Sequence, residues 1–291
     1  KKHFNHAQPC LKELTTMKRK TIRTILLYLL AIAGAAVMIF PFLWMLSNAF
    51  KPNVYVIEYP PQLIPDNPSF ENFVDAWTSN KFQLYFLNSA FTAVAATIGT
   101  VLVSALTACS FARFKFRGKE LVFSLMLVVL MIPDMITIIP RFYLARELNL
   151  RNSLWGLILF YIASGVSGNT FLLRGFFETL PHELEEAMTI DGANPFQIFF
   201  RLALPLSAPA LATVGIFSFL GNWDEYVWAL TIIDDPNKRT LPIAIYSFQG
   251  QHGTEWGLIF AAMIIALIPV VIIFISLQKY FTGGITAGAF K

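Results

Sequence analysis

ELEEAMTIDGANPFQIFFRLALP, residues 183–205, is an acidic and polar segment that separates two long apolar runs. Acids crowd its start, where the positive end of a helix dipole favours them, and Gly192 follows the first periodic stretch as a left-handed helix exit. A second short helix is predicted next, because Asn194 can cap it, Pro195 suits its first position and Gln197 can reach back to the cap. The segment, here called the knob, is therefore predicted to be two short helices joined by a tight glycine turn.

The knob is typical of a docking element, although some of its features have simpler explanations. Pro205 is expected to prevent the second helix from continuing. Glu186, taken alone, is explained by a helix dipole, which an acid at that end stabilises by about 0.3 to 1 kcal/mol. The apolar face formed by Phe196, Phe199 and Phe200 either docks into a partner or packs beneath the chain's own apolar runs, and both roles are compatible.

The composition excludes an ordinary soluble domain. Of the 291 residues, 56% are hydrophobic and 14% are charged, and the mean hydropathy is +0.58. Five charge-free runs are each long enough to cross a bilayer, namely 24–50, 82–112, 152–173, 202–223 and 256–278. A sixth candidate, 121–145, is apolar but interrupted by Pro133, Asp134, Pro140 and Arg141. We predict an all-α membrane protein with six transmembrane helices.

Basic residues near the ends of the spans predict their orientation. The N-terminal segment carries Lys12, Lys18, Arg19, Lys20 and Arg23. The positive-inside rule then places both termini in the cytoplasm, together with 113–120, the loop 174–205 that contains the knob, and the tail 279–291. We predict a cytoplasmic segment, 1–21, followed by a single transmembrane domain, 22–291.

The first residues carry a separate expectation about where the native chain begins. MKRKTIRTILLYLL at Met17 is typical of a natural start, so residues 1–16 are interpreted as an extension. The apolar run that follows is too long for the core of a cleaved signal peptide, which favours an uncleaved first span.

The spacing of residues within the knob resembles the EAA loop of ABC importer permeases. The matching positions are Glu186, Ala187, Gly192, Leu204 and Pro205, with Asp191 and Ala193 beside the glycine. Met188 and Leu202 depart from the usual pattern but keep apolar side chains. The similarity continues through NSAFTAVAATIGTVLVSALTACSFAR, MIPDMITIIP, FQGQHGTEWG and QKYFTGGITAGAFK. It covers most of the chain and resembles the carbohydrate-uptake, MalG-like branch.

This resemblance implies a type I ABC importer permease fold and a set of partners. They are a second homologous permease, two ATP-binding-cassette ATPase subunits, an extracytoplasmic solute-binding protein and a sugar, in a bacterial cytoplasmic membrane. The knob would bind the ATPase, whose closure would rotate the attached spans and turn a central cavity from one side of the membrane to the other. ATP and magnesium would belong to the ATPase, so no cofactor is expected in this chain.

The same resemblance assigns a role to the last outer loop. In the family, the corresponding loop reaches towards the solute-binding protein and helps to release the sugar. The matching positions here are Gln249, Gly250, Gln251 and Gly253. Glycines at these positions would let a narrow loop enter a cleft.

The sequence offers no catalytic constellation of its own. It has no G-x-x-x-x-G-K-S/T phosphate loop, no G-x-S-x-G elbow and no H-E-x-x-H helix, so neither an ATPase nor a hydrolase is expected. The four histidines are scattered and suggest no metal site, and no nucleic-acid motif is present. The net charge of +4 instead fits anionic lipid at the cytoplasmic flanks.

Polar residues near the end of the fifth run are candidates for the substrate path. They are Asn222, Trp223, Asp224 and Tyr226. The aromatic residues are explained equally well by an interfacial belt or by packing. The membrane acids Asp134, Asp224 and Glu225 also leave a second function open, a proton-coupled secondary sugar carrier. The sequence does not choose among a maltodextrin, another oligosaccharide and glycerol phosphate.

Overall fold

The computed structural model describes residues 7–52, 62–248 and 255–288, with side chains described for 20–52, 62–248 and 255–280. All regular structure in these residues is helical. The α-helices are α1 (Ala7–Ala49), α2 (Glu71–Thr78), α3 (Phe82–Arg113), α4 (Lys119–Val129), α5 (Ile138–Glu147), α6 (Leu154–Phe177), α7 (His182–Ile190), α8 (Pro195–Ile198), α9 (Leu204–Leu206), α10 (Ala208–Trp223), α11 (Val227–Ile232), α12 (Leu241–Ser247) and α13 (Trp256–Gly288). A π turn, Phe199–Ala203, joins α8 to α9.

The described residues contain up to six candidate membrane spans, the number predicted, when each of two bent helix pairs is counted as one span. Four are single helices, Lys20–Ala49, Phe82–Arg113, Leu154–Phe177 and Trp256–Tyr280, and the other two are bent pairs. Each single span has 24 to 32 residues, more than the roughly 20 that a bilayer requires. The predicted all-α membrane fold is confirmed. The proposed boundary at residue 21 remains a prediction, and α1 runs across it without a break.

The apolar run 121–145 breaks where the first of its prolines lies. Lys119–Val129 and Asp134–Glu147 meet at 92°. Pro133 has an extended ψ of 132° and precedes a short 3₁₀ turn, Asp134–Thr137. Pro140, which was expected to interrupt the run as well, lies in the first turn of α5, where its missing N–H removes no helical hydrogen bond. Only the first proline therefore bends this span.

The helix of the knob continues through Pro205, contrary to the prediction. The π turn Phe199–Ala203 precedes the proline, and α9 then runs on to Leu206. A π turn is wider than an α turn, which makes room for the proline ring that would otherwise clash with the preceding turn. The chain breaks instead at Ser207, where Pro195–Leu206 and Ala208–Trp223 meet at 79°.

Helix α3 lies at the centre of the bundle and packs against both α6 and α10. It contributes small residues to all three buried apolar clusters, with Ala93 in the first, Ala96 in the second and Ala105 in the third. Small side chains let membrane helices approach closely and gain dispersion contacts. At Gly165 of α6, an added Cβ would lie 2.8 Å from Cγ2 of Thr100.

Replacing Gly165 with valine is therefore expected to destabilise the bundle by forcing α3 and α6 apart. Overpacking of this kind costs about 1 to 3 kcal/mol. The matched control is Gly175→Val in the same helix, where a Cβ would meet no atom within 4 Å. We expect thermal unfolding in detergent to show a lower midpoint for Gly165→Val than for the control, and equal midpoints would contradict the tight packing.

Candidate functional site

The first half of the knob is a helix that ends in a glycine turn. Helix α7 carries Glu183 and Glu185 in its first turn, and Gly192 follows it with a φ of +82°. The backbone N–H of Gly192 donates to the Thr189 carbonyl at 3.0 Å, and that of Ala193 donates to the Met188 carbonyl at 2.9 Å. These two hydrogen bonds form a Schellman motif, so the predicted left-handed exit is present.

The second half begins with the predicted cap. Asn194 Oδ1 accepts a hydrogen bond from the backbone N–H of Gln197, and the Asn194 N–H donates to Gln197 Oε1, both at 2.9 Å. Pro195 occupies the first helical position. Reciprocal capping satisfies two N–H groups that the helix itself cannot use, so the start of α8 is determined locally.

The residues of the EAA-like pattern divide between the surface and the base of the knob. Five are exposed, namely Glu186, Ala187, Asp191, Gly192 and Pro205, while Ala193 and Leu204 are partly buried. Ile190 and Phe196 are exposed beside them, at 86% and 71%. The knob therefore presents carboxylates next to bare apolar side chains, a combination suited to binding another protein.

The base of the knob packs on the bundle, which divides the three phenylalanines between two roles. Phe199 is only 4% exposed and lies in the third cluster with Ala105, Ala203 and Phe177. Phe196 and Phe200 are exposed and do not belong to this cluster. One of the three anchors the knob, and the other two remain on its surface.

Arg113, at the end of α3, contacts the knob and was missed by the sequence reasoning. Its Nε lies 2.8 Å from Oε1 of Glu185, and its side chain is 7% exposed. Nη2 donates to the Leu180 carbonyl at 2.7 Å, and Nη1 lies 3.0 Å from Nε2 of His182. The only sequence signal was a basic residue at the end of an apolar run, which the orientation argument already explained.

A cavity of about 760 Å³ separates the end of α3 from the knob. Leu106, Cys109 and Arg113 line it from α3, and Glu185 and Phe196 are among its lining residues on the knob. Phe199 and Ala203 close one side of the cavity, where the base of the knob packs on α3. The ion pair of Arg113 with Glu185 crosses between α3 and the knob.

The opposite end of the bundle contains a smaller cavity of about 290 Å³. Trp223, Asp224, Tyr226 and Tyr246 line it, and the two tyrosine rings lie 5.5 Å apart. Trp223 is the most buried of these four residues, at 2% exposed, and its Nε1 donates to the Ala266 carbonyl at 3.2 Å. Tyr246 was not among the predicted residues, since twenty positions separate it from Tyr226 and only packing unites them.

Asn222 lies apart from this cavity. Its Nδ2 donates to Oγ1 of Thr97 on α3 at 3.3 Å, which directs the amide to the other side of α10. The structure therefore brings together three of the four predicted substrate-path residues and separates the fourth.

The membrane acids do not share one site. Glu225 accepts hydrogen bonds from the backbone N–H groups of Trp228 and Ala229, at 2.6 and 3.0 Å, and from the Tyr161 hydroxyl at 2.8 Å. It thus caps the start of α11. Asp134 pairs with Arg141 at 2.6 Å and lines, with Glu225, a cavity of about 170 Å³. Asp224 lines the other cavity, so the three acids form no single relay.

One predicted contact loop lies outside the described residues. Gln249, Gly250, Gln251 and Gly253, the predicted loop for the solute-binding protein, fall between 248 and 255. Within the described residues, no group of three or more histidine, cysteine, aspartate or glutamate side chains could hold a metal ion.

Comparison with known proteins reveals close sequence relatives over nearly the whole chain. The diacetylchitobiose uptake system permease protein NgcG of Streptomyces coelicolor is 35% identical, over 90% of this chain and 87% of its own length. The galactooligosaccharides transport system permease protein GanQ of Bacillus subtilis is 34% identical, over 96% and 99%. The trehalose/maltose transport system permease protein MalG of Thermococcus litoralis is 34% identical, over 94% and 99%.

A solved structure supports the fold. One chain of a bacterial ABC transporter that imports the acidic polysaccharide alginate superposes with a TM-score of 0.79 at 22% identity, over 90% of this chain and 98% of that one. The family described as binding-protein-dependent transport system inner membrane component matches residues 100–286, which include the knob and both bent spans. The resemblance to ABC importer permeases is thereby confirmed, and this chain belongs to the family of binding-protein-dependent transport system inner membrane components.

Proposed function

We propose that this chain is one of the two membrane subunits of a type I ABC importer that takes up a sugar or an oligosaccharide. The knob carries this proposal, because it presents Glu186 and Gly192 at the surface of one end of a six-span bundle. Its partners would be a homologous permease, two ATPase subunits and an extracytoplasmic solute-binding protein. ATP and magnesium would be bound by the ATPase subunits, and this chain would carry out no reaction of its own.

In this proposal the knob transmits movement and the bundle forms half of the pathway. Closure of the ATPases around ATP would displace the knob, and the attached spans would rock so that the central pathway faces outward. Hydrolysis would return it to the inward-facing state. This is alternating access by rigid-body motion, and it works only while the knob stays docked.

The orientation follows from the charges at the knob end. Arg113, Lys115, Arg117 and Lys119 lie in the short connection between α3 and α4 at that end. We place this end, the knob and both termini in the cytoplasm of a bacterium, with the chain in its inner membrane. The loop of Gln249, Gly250, Gln251 and Gly253 would then face the solute-binding protein on the other side.

A sugar is the substrate class that the relatives and the far-end cavity both support. The relatives named above are permeases for diacetylchitobiose, galactooligosaccharides and trehalose/maltose. In the cavity, the Asp224 carboxylate can accept hydrogen bonds from hydroxyl groups, and Tyr226 and Tyr246 offer ring faces. We propose that Asp224, Tyr226 and Tyr246 contact the passing solute, with the buried ring of Trp223 packed beside them. Asn222 would contribute to the pathway only on the side of α10 that faces Thr97.

Reconstitution of the complete importer tests this function. The chain would be purified from native membranes with its associated subunits and placed in proteoliposomes with ATP inside or with a proton gradient. We expect a second permease and an ATPase to co-purify, and sugar-loaded binding protein to stimulate both hydrolysis and uptake. A chain that purifies alone and moves sugar on a proton gradient without ATP would overturn the proposal in favour of a secondary carrier.

A further inference from the structure

We propose that Arg113 is a positioning residue that links the knob to α3, so that movement of α7 reaches the centre of the bundle through an ion pair as well as through the chain. This inference rests on the proposed function. It adds a direct connection from α7 to α3 to the two covalent ones, which are the short link from α6 into α7 and the bend at Ser207 into α10.

Helix α7 is not held by apolar packing. None of its residues is buried, and the three apolar clusters of the described residues take no member from it. A helix of nine residues is too short to be stable by itself in water. Its position must therefore depend on polar contacts and on the turns at its two ends.

Arg113 supplies the polar contacts at the start of α7. Its guanidinium lies 2.8 Å from the Glu185 carboxylate, 2.7 Å from the Leu180 carbonyl and 3.0 Å from the His182 ring. One planar group thus contacts Glu185 within α7, His182 at its first position and Leu180 in the short segment that precedes it. The Glu185 contact is an ion pair at Nε, and the two Nη atoms face Leu180 and His182. A planar guanidinium presents these three nitrogens in fixed directions, whereas a lysine ammonium is one compact charge on a flexible stem.

The burial of this contact distinguishes it from an ordinary surface ion pair. The side chains of Arg113 and Glu185 are 7% and 19% exposed. Charges withdrawn from water are screened weakly, so the pair resists separation more than an exposed pair does. Arg113 is also the last residue of α3, which packs against both α6 and α10.

The two neighbouring glutamates of α7 therefore have different roles. Glu185 pairs with Arg113 and is partly buried, whereas Glu186 is exposed, and both side chains line the cavity between α3 and the knob. Successive residues of an α-helix point about 100° apart, which allows one acid to face the bundle and the next to face a partner. We assign Glu185 to the link with α3 and Glu186 to the docking surface.

The test compares transport coupling in assembled complexes that contain Arg113→Gln, Glu185→Gln or both. We expect the ATPase to co-purify with each variant, and uptake per ATP hydrolysed to fall by about tenfold, within the roughly 5- to 150-fold range of coupling between sites. The double variant should lose no more than either single variant, because both remove the same interaction. The double variant Arg113→Glu with Glu185→Arg restores opposite charges at the two positions, so its uptake per ATP hydrolysed should exceed that of Arg113→Gln. The single variant Arg113→Lys should also exceed Arg113→Gln, but by less.

Arg117→Gln is the matched control, since it removes the same charge from an exposed residue four positions away. Normal coupling in the assembled Arg113→Gln complex, or an equal loss in the control, would overturn the inference while leaving the proposed function intact. If the wild-type complex shows no ATP-driven uptake, the proposed function fails instead.

Hydrogen exchange tests the role of the Arg113–Glu185 ion pair without a transport measurement. In the purified complex, Arg113→Gln should accelerate amide exchange in His182–Ile190 by at least about tenfold, whereas Arg117→Gln should leave it unchanged. Unchanged protection of α7 in Arg113→Gln would show that the ion pair does not position the helix and would overturn the inference.

Discussion

Replacing Gly192 with proline is expected to impair ATP-driven uptake severely while leaving the chain in the membrane. Proline fixes φ near −65°, whereas Gly192 has a φ of +82°, and it removes the N–H that donates to Thr189. The Schellman motif cannot form, so α8 would leave α7 in another direction and the docking surface would be lost. Uptake and co-purification of the ATPase are the measurements, and we expect both to fall by about 30-fold or more, given interface losses of roughly 2 to 5 kcal/mol.

The control at the same position is Gly192→Asn. A Cβ on Gly192 would meet no atom within 4 Å, so side-chain size is not the constraint there. Asparagine tolerates the left-handed region better than other residues with a side chain. Gly192→Asn should therefore keep most of the activity. Near-normal uptake by the proline variant would mean that the turn does not shape the docking surface.

Replacing Glu186 with lysine is expected to have a comparable effect through charge rather than backbone geometry. Glu186 is exposed on α7 beside the bare side chain of Ile190. If a partner cation meets this carboxylate, reversal of the charge leaves two like charges in the interface, which costs about 2 to 5 kcal/mol or more. The ATPase should dissociate during purification, and uptake should fall accordingly.

Glu147→Lys makes the same charge reversal at the opposite end of the bundle, on a carboxylate that is 74% exposed. It should leave ATPase binding unchanged. Raising the salt concentration should weaken the wild-type complex as well if the Glu186 contact is an ion pair, since exposed charges are screened. If the Glu186→Lys complex assembles fully and transports normally, Glu186 is not part of the docking surface.

Much of the knob could be predicted because its geometry is local. The glycine turn and the cap of Asn194 by Gln197 use hydrogen bonds between residues that are three to five positions apart. The capping role of Glu225 is equally local, as it accepts from the N–H groups three and four residues ahead. That signal was present in the sequence, but the position of Glu225 beside Asp224 suggested a substrate or proton role instead.

The path of the chain through Pro205 could not be predicted from the residue alone. Proline disfavours the interior of a regular helix, and this preference correctly indicates a disturbance. Whether the helix ends at the proline or continues through a wider π turn depends on how the neighbouring side chains pack. Here Phe199 and Ala203 are buried in the third cluster, which keeps the segment helical through a π turn, and the break falls at Ser207.

By itself the sequence determined the six spans, the turns of the knob and the family, because apolar length, capping residues and short spacings act over a few positions. Only the tertiary structure decided that Arg113 holds Glu185, that Tyr246 joins Tyr226 beside Asp224, and that Asn222 faces Thr97. Arg113 and His182 are 69 residues apart. Contacts at such separations depend on which faces of the helices pack together, and many alternative pairings of the same charged and aromatic residues satisfy the local rules equally well.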